Sequence, residues 1–67
     1  MKDVDKNVLS FIQSYVDEHG YAPTYEEIRT GMGFSTHWRV SECLGRLKQA
    51  GYLATDHPGS SRALRIV

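Results

Sequence analysis

The spacing of apolar residues changes period once along this chain, at Gly51, and that change constrains the fold more than any other feature. Before it, apolar side chains recur at three- and four-residue steps, as in helices that bury one stripe. Val4, Val8, Phe11, Ile12, Tyr15 and Val16 form the first such stripe. Gly20 stands where a left-handed residue would end that helix. Tyr21-Ala22-Pro23 follows as a connector, because a proline disfavours helix at the residue before it. Thr24-Tyr25-Glu26-Glu27 reads as a capping box, in which Thr24 accepts from the Glu27 amide while the Glu27 side chain reaches back. The second helix carries Ile28 and Met32 inward. It must be short, because Gly31 and Gly33 each cost it roughly 1 kcal/mol if they are interior.

A turn, Gly33-Phe34-Ser35-Thr36, leads into a third helix, with Thr36 as its expected N-cap and Gly51 as its stop. Val40, Leu44 and Leu47 lie within about 60° of one another on a helical wheel and form its buried stripe. Beyond Gly51, residues 52–55 and 63–67 read as two short strands around the turn-rich segment 56–62. The order predicts a mainly α fold with a small β-hairpin: a winged helix-turn-helix with three helices and a two-stranded wing, one domain over residues 1–67. Its expected core is Val8, Phe11, Ile12, Tyr15, Ile28, Val40, Leu44, Leu47, Leu53, Leu64 and Ile66.

Size and composition narrow the function. A chain of 67 residues buries only ~60% of its unfolded surface, which leaves little room for an enclosed active site, so a non-enzymatic role is expected. His19, His37, His57 and Cys43 fall at no metal-ligand spacing, and Gly31-x-Gly33 lacks the rest of a nucleotide-binding loop. No catalytic residue, metal or cofactor is therefore expected. Cys43 has no partner for an intrachain disulfide, which fits a reducing, cytoplasmic setting, and it reads as a small, half-buried packing residue beside Leu44 and Leu47. No apolar run approaches the ~20 residues of a membrane span, and Met1-Lys2-Asp3 opens no signal peptide.

The net charge is zero, yet it is unevenly distributed. Residues 1–28 carry two basic and six acidic side chains, and residues 29–67 carry six basic and two acidic ones. A basic second half is expected to offer a surface for phosphate. In a helix-turn-helix the second helix of the pair enters the major groove with its N-terminal residues nearest the base edges. Opposite Val40, that helix (37–50) gathers Trp38, Glu42, Gly45 and Gln49, flanked by Arg39 and Arg46 on one side and Ser41 and Lys48 on the other. Arginine favours guanine and glutamate accepts from cytosine N4, so this face is equipped to read bases. Trp38 is the anomaly, since a solvated face needs no tryptophan; the alternative places it against Tyr25 or Phe34. Ser60, Ser61, Arg62 and Arg65 lie on or beside the hairpin tip, in reach of phosphate oxygens or a minor groove.

From Phe11 to Val67 the chain resembles the N-terminal DNA-binding domain of LexA-type repressors. The resemblance rests on Gly20-Tyr21-Ala22-Pro23-Thr24, Glu27-Ile28, Gly33-Phe34-Ser35, Leu44-x-x-Leu47, Gly51-Tyr52-Leu53 and Ser61-Arg62-Ala63-Leu64-Arg65. It implies a bacterial or phage repressor domain, of the kind that governs an SOS response, with the third helix in the major groove of a palindromic operator. Carried over by position, Thr36, Trp38, Arg39, Ser41 and Glu42 would face bases. Ser35 and His37 would stand at the groove entrance, and Ser60, Ser61 and Arg62 would supply wing contacts. Family members often carry Asn at the position of Trp38 and Glu at that of Ser41, so the family's usual operator is not implied. The sequence stops at Val67, before the self-cleaving, dimerising domain of the full-length family, so an excised domain and a stand-alone regulator are both open. A monomer in solution that pairs only on double-stranded DNA is expected, because the apolar stripes are used within one core. The competing reading is a winged helix that binds protein, which the zero net charge and an exposed Trp38 would also fit.

Overall fold

The computed structural model describes residues 1–55 and 62–67. Helices α1 (Asp3–His19), α2 (Tyr25–Met32) and α3 (His37–Gln49) are followed by strands β1 (Leu53–Thr55) and β2 (Leu64–Ile66). The strands pair antiparallel, with Leu53 opposite Ile66 and Thr55 opposite Leu64, and the Val67 amide extends the ladder by donating to the Tyr52 carbonyl at 3.0 Å. This is the winged helix-turn-helix that the change of period predicts.

The elements start and stop for local reasons. Thr24 and Glu27 form the complete capping box, with the Glu27 amide 3.1 Å from Thr24 Oγ1 and the Thr24 amide 2.8 Å from Glu27 Oε1. Gly33 is not an interior residue of α2. It lies past the end at φ 73°, where the Gly33 and Phe34 amides donate to the Thr30 and Arg29 carbonyls in the paired geometry of a Schellman close. Gly51, at φ 88°, ends α3 in the same way, with the Gly51 and Tyr52 amides donating to Lys48 and Leu47. Helix α3 thus ends at Gln49, with Ala50 as its C-cap. Thr36 is the N-cap by position, but its side chain makes no capping hydrogen bond, unlike the expectation from its residue type.

One core joins all five elements. Val8 and Ile12 of α1, Ile28 of α2, Val40, Cys43, Leu44 and Leu47 of α3, and Leu53 and Leu64 of the hairpin are its buried members. Cys43 is fully buried rather than half-buried, and that burial pushes its thiol pKa up. Phe11, Tyr15 and Ile66, expected inside, are only partly covered, while Ala22 and Pro23 of the connector are buried. Gly31 has a packing reason: a Cβ there would stand 2.3 Å from Cε2 and Cζ of Phe11, so the tip of that ring occupies the space a side chain on α2 would need and would have to shift to admit one. Among the described residues, no helix is long and apolar enough to cross a membrane.

Candidate nucleic-acid interface

Burying Val40, Cys43, Leu44 and Leu47 fixes the rotation of α3 about its axis. The opposite side must face outward, and His37, Trp38, Arg39, Ser41, Glu42 and Gly45 are all exposed. Ser35 and Thr36 are exposed in the turn just before it. Seven of the residues singled out from the sequence, Ser35 through Arg39 with Ser41 and Glu42, therefore lie together at the leading end of one helix.

That end is braced from α2. Glu26 Oε2 lies 2.6 Å from His37 Nε2, and the same carboxylate pairs with Arg29. Arg29 also donates to the Phe34 carbonyl at 3.2 Å, tying the turn to α2. Its guanidinium holds the Glu26 carboxyl below its usual pKa. Arg39 lies over the Phe34 ring, 5.5 Å from its centroid, and so is held beside the turn without being neutralised. Trp38 is 71% exposed and does not pack on Tyr25 or Phe34 as the alternative placed it; no ring contact to it forms among the described residues.

Two arginines from the expected contact set are engaged elsewhere. Arg46 turns toward α1 and forks onto Asp5, with Nε 2.8 Å from Oδ2 and a terminal nitrogen 3.0 Å from Oδ1. Asp5 is only 2% exposed, so this pair closes the seam between α1 and α3. Arg46 holds the Asp5 carboxyl below its ordinary pKa against the opposing effect of burial. Arg62 stands at the base of β2 and reaches back across the α1–α2 connector. Its guanidinium donates to both Glu27 carboxylate oxygens, at 2.8 and 3.0 Å, and to the Ala22 carbonyl at 3.0 Å. It also lies 4.6 Å from the Tyr21 ring centroid. Arg62, with the Thr24 amide, draws the Glu27 pKa down to about 2. Tyr15 completes the cluster by donating to Glu27 Oε2 at 2.9 Å.

Ser60 and Ser61 lie outside the described residues. Sequence reasoning missed Glu26 and Arg29 as supports of the leading end of α3, although their i, i+3 spacing on a helix was the available signal. It also missed Asp5, whose spacing with Val8 and Ile12 places it on the buried side of α1.

A family profile described as the LexA DNA binding domain matches residues 2–63. The LexA repressor of Carboxydothermus hydrogenoformans is 41% identical over 63 residues, covering 94% of this chain and 30% of that protein. The LexA repressor of Limosilactobacillus fermentum is 48% identical over 59 residues, 88% of this chain and 28% of that protein. That of Syntrophobacter fumaroxidans is 36% identical over 62 residues, 92% of this chain and 30% of that protein. The chain spans less than a third of the length of these relatives.

Proposed function

The chain belongs to the LexA DNA-binding domain family, and from that premise we propose that it is the sequence-reading module of a transcriptional repressor, with α3 set in the major groove of duplex DNA. The observation that carries this reading is the leading end of α3. A helix held by its apolar stripe presents His37, Trp38, Arg39, Ser41 and Glu42 outward together, with Ser35 and Thr36 at the entry. Arg39 and Glu42 are suited to guanine and to cytosine N4, and Ser41 to either strand's polar edges. Ser60 and Ser61 would contact the backbone from the wing. Arg46 and Arg62 act as struts in this reading, one seating α3 on α1 and the other seating the wing on the α1–α2 connector.

The target is a palindromic operator read by two copies. Each copy is a monomer when free, since the apolar faces of all three helices meet in one core. Copies on successive half-sites would sit about one helical turn, ~34 Å, apart. The setting is the cytoplasm. The rival reading, a winged helix that binds protein, draws on the exposed Trp38.

A salt titration of duplex binding separates the two, paired with sedimentation of the free protein to check that it is monomeric. Three of the arginines donate to carboxylates, so about two to four phosphates are expected to be neutralised. The slope of log K on log salt should then lie at about −2 to −4. A slope near zero, or no binding to duplex DNA at low salt, refutes the DNA-binding reading.

A further inference from the structure

We infer that Trp38 reads the C5-methyl group of a thymine in the major groove, and so sets part of the base preference of α3. This rests on the DNA-binding reading above. The first observation is exposure. At 71%, Trp38 is the most exposed large apolar side chain among the described residues, and it is the second residue of α3. An indole left in water forgoes a large burial gain, and Trp38 makes no ring contact with Phe34. Phe34 is instead covered by the Arg39 guanidinium.

The second observation concerns its neighbours. His37 is held by Glu26, and Arg39 is held over Phe34, so the residues on either side of Trp38 are fixed by their own partners. Ser41 and Glu42, one turn further along, are exposed and polar. Trp38 is thus a single apolar projection on a polar face, at the end of the helix nearest the base edges in this docking mode. A protein-binding patch would instead join several apolar side chains into one surface.

The third step is chemical matching. Base edges in the major groove are polar, with one exception: thymine, which presents its methyl group beside the O4 acceptor. Indole presents an apolar ring and one N–H donor with no acceptor. The two sets are complementary, methyl against ring and O4 against Nε1–H. Guanine also offers acceptors, but it has no apolar group to cover the ring.

The experiment begins by enriching duplexes from a random pool with the wild-type protein. Each thymine of the enriched half-site is then replaced by deoxyuridine, which keeps the base pair and removes only the methyl. One position per half-site should lose about three- to tenfold in affinity, the effect of one lost methyl-sized contact. Trp38→Ala should bind the thymine and deoxyuridine duplexes equally, and melt at the wild-type temperature. Trp38→Phe should retain the methyl sensitivity. Trp38 is the only tryptophan, so its fluorescence should also become shielded from acrylamide on the thymine duplex. Enrichment of a specific sequence without methyl sensitivity at any thymine overturns the role of Trp38 and leaves the DNA-binding reading standing. So does a Trp38→Ala protein that remains methyl-sensitive, or one that loses all duplexes alike. Failure to enrich any duplex overturns both.

Discussion

Replacing Arg46 with methionine keeps much of the aliphatic stem and removes the cation, which strands the Asp5 carboxylate at 2% exposure against α3. Breaking a buried ion pair by deleting one partner costs about 3–5 kcal/mol, because the remaining charge is left dry and unpaired. The Arg46 side chain is itself 36% exposed, so water can enter where it stood, and the stranded Asp5 should cost about 2–3 kcal/mol. In a domain of this size that corresponds to a melting temperature roughly 10–20 °C lower. The converse change, Asp5→Asn, leaves a guanidinium that can turn to solvent, and should cost clearly less. This asymmetry follows from which partner is buried.

The pH dependence carries a sign that can be checked. Arg46 lowers the folded-state pKa of Asp5 below its ordinary value of 3.8, so the pair stabilises the fold above that value and is lost as pH falls through the lower one. In Arg46→Met the guanidinium is gone and burial, the largest of the remaining influences, raises the Asp5 pKa against the smaller opposing effects of Cys43 and Lys2, so the carboxylate takes up a proton earlier on acidification than in the wild type. The gap between wild type and variant should therefore be widest near pH 7 and narrow toward pH 3. Thermal melts across that range, followed by circular dichroism, measure it. A gap that stays constant with pH, or an Asp5→Asn loss as large as that of Arg46→Met, would refute the reasoning. Below both melting temperatures, Arg46→Met should bind duplex DNA with the wild-type salt slope, because a strut neutralises no phosphate.

The two helical glycines should respond in opposite directions to alanine. Gly45→Ala meets open space and should raise stability by about 0.5–1 kcal/mol, whereas Gly31→Ala drives a methyl into the Phe11 ring and should lower the melting temperature despite the same gain in helix propensity. Arg62→Ala should destabilise the fold at neutral pH, with the loss shrinking as pH falls from about 4.5 toward 2, the range over which Arg62 keeps Glu27 ionised in the wild type; acid melts of the two proteins check this.

Features of the fold that depend on neighbours in sequence are legible from residue type and spacing. The Thr24–Glu27 capping box and the closing glycines after α2 and α3 are contained within a few residues, and their chemistry names them. The phase of α3 is legible too: once Val40, Leu44 and Leu47 are inside, Trp38 falls on the opposite face, although phase alone leaves open whether the indole folds back onto Tyr25 or Phe34. Pairings over long separations are not. Asp5 and Arg46 are 41 residues apart, and an aspartate in the first turn of a helix has a sufficient local explanation in the helix dipole. Arg62 meets Glu27 across 35 residues, and its basic side chain in a serine-rich turn reads equally well as a phosphate ligand. Gly31 looks like a helix weakener until the Phe11 ring is found against it.

The charge asymmetry of the chain takes a second meaning from these pairings. Asp5 with Arg46, Glu26 with His37 and Glu27 with Arg62 each join a carboxylate from residues 1–28 to a nitrogen base from residues 29–67. The acidic and basic halves are thus complementary parts of one fold, and much of the positive charge in the second half is already answered within the molecule. On α3, Arg39 and Lys48 are the cations not paired with a carboxylate among the described residues. A protein so balanced gains little from the sequence-independent attraction that dominates binding by strongly basic domains. In the reading proposed above, its discrimination would come instead from contacts that differ between base pairs, and the exposed end of α3 offers groups suited to them: one guanidinium, one carboxylate, small hydroxyls and an indole.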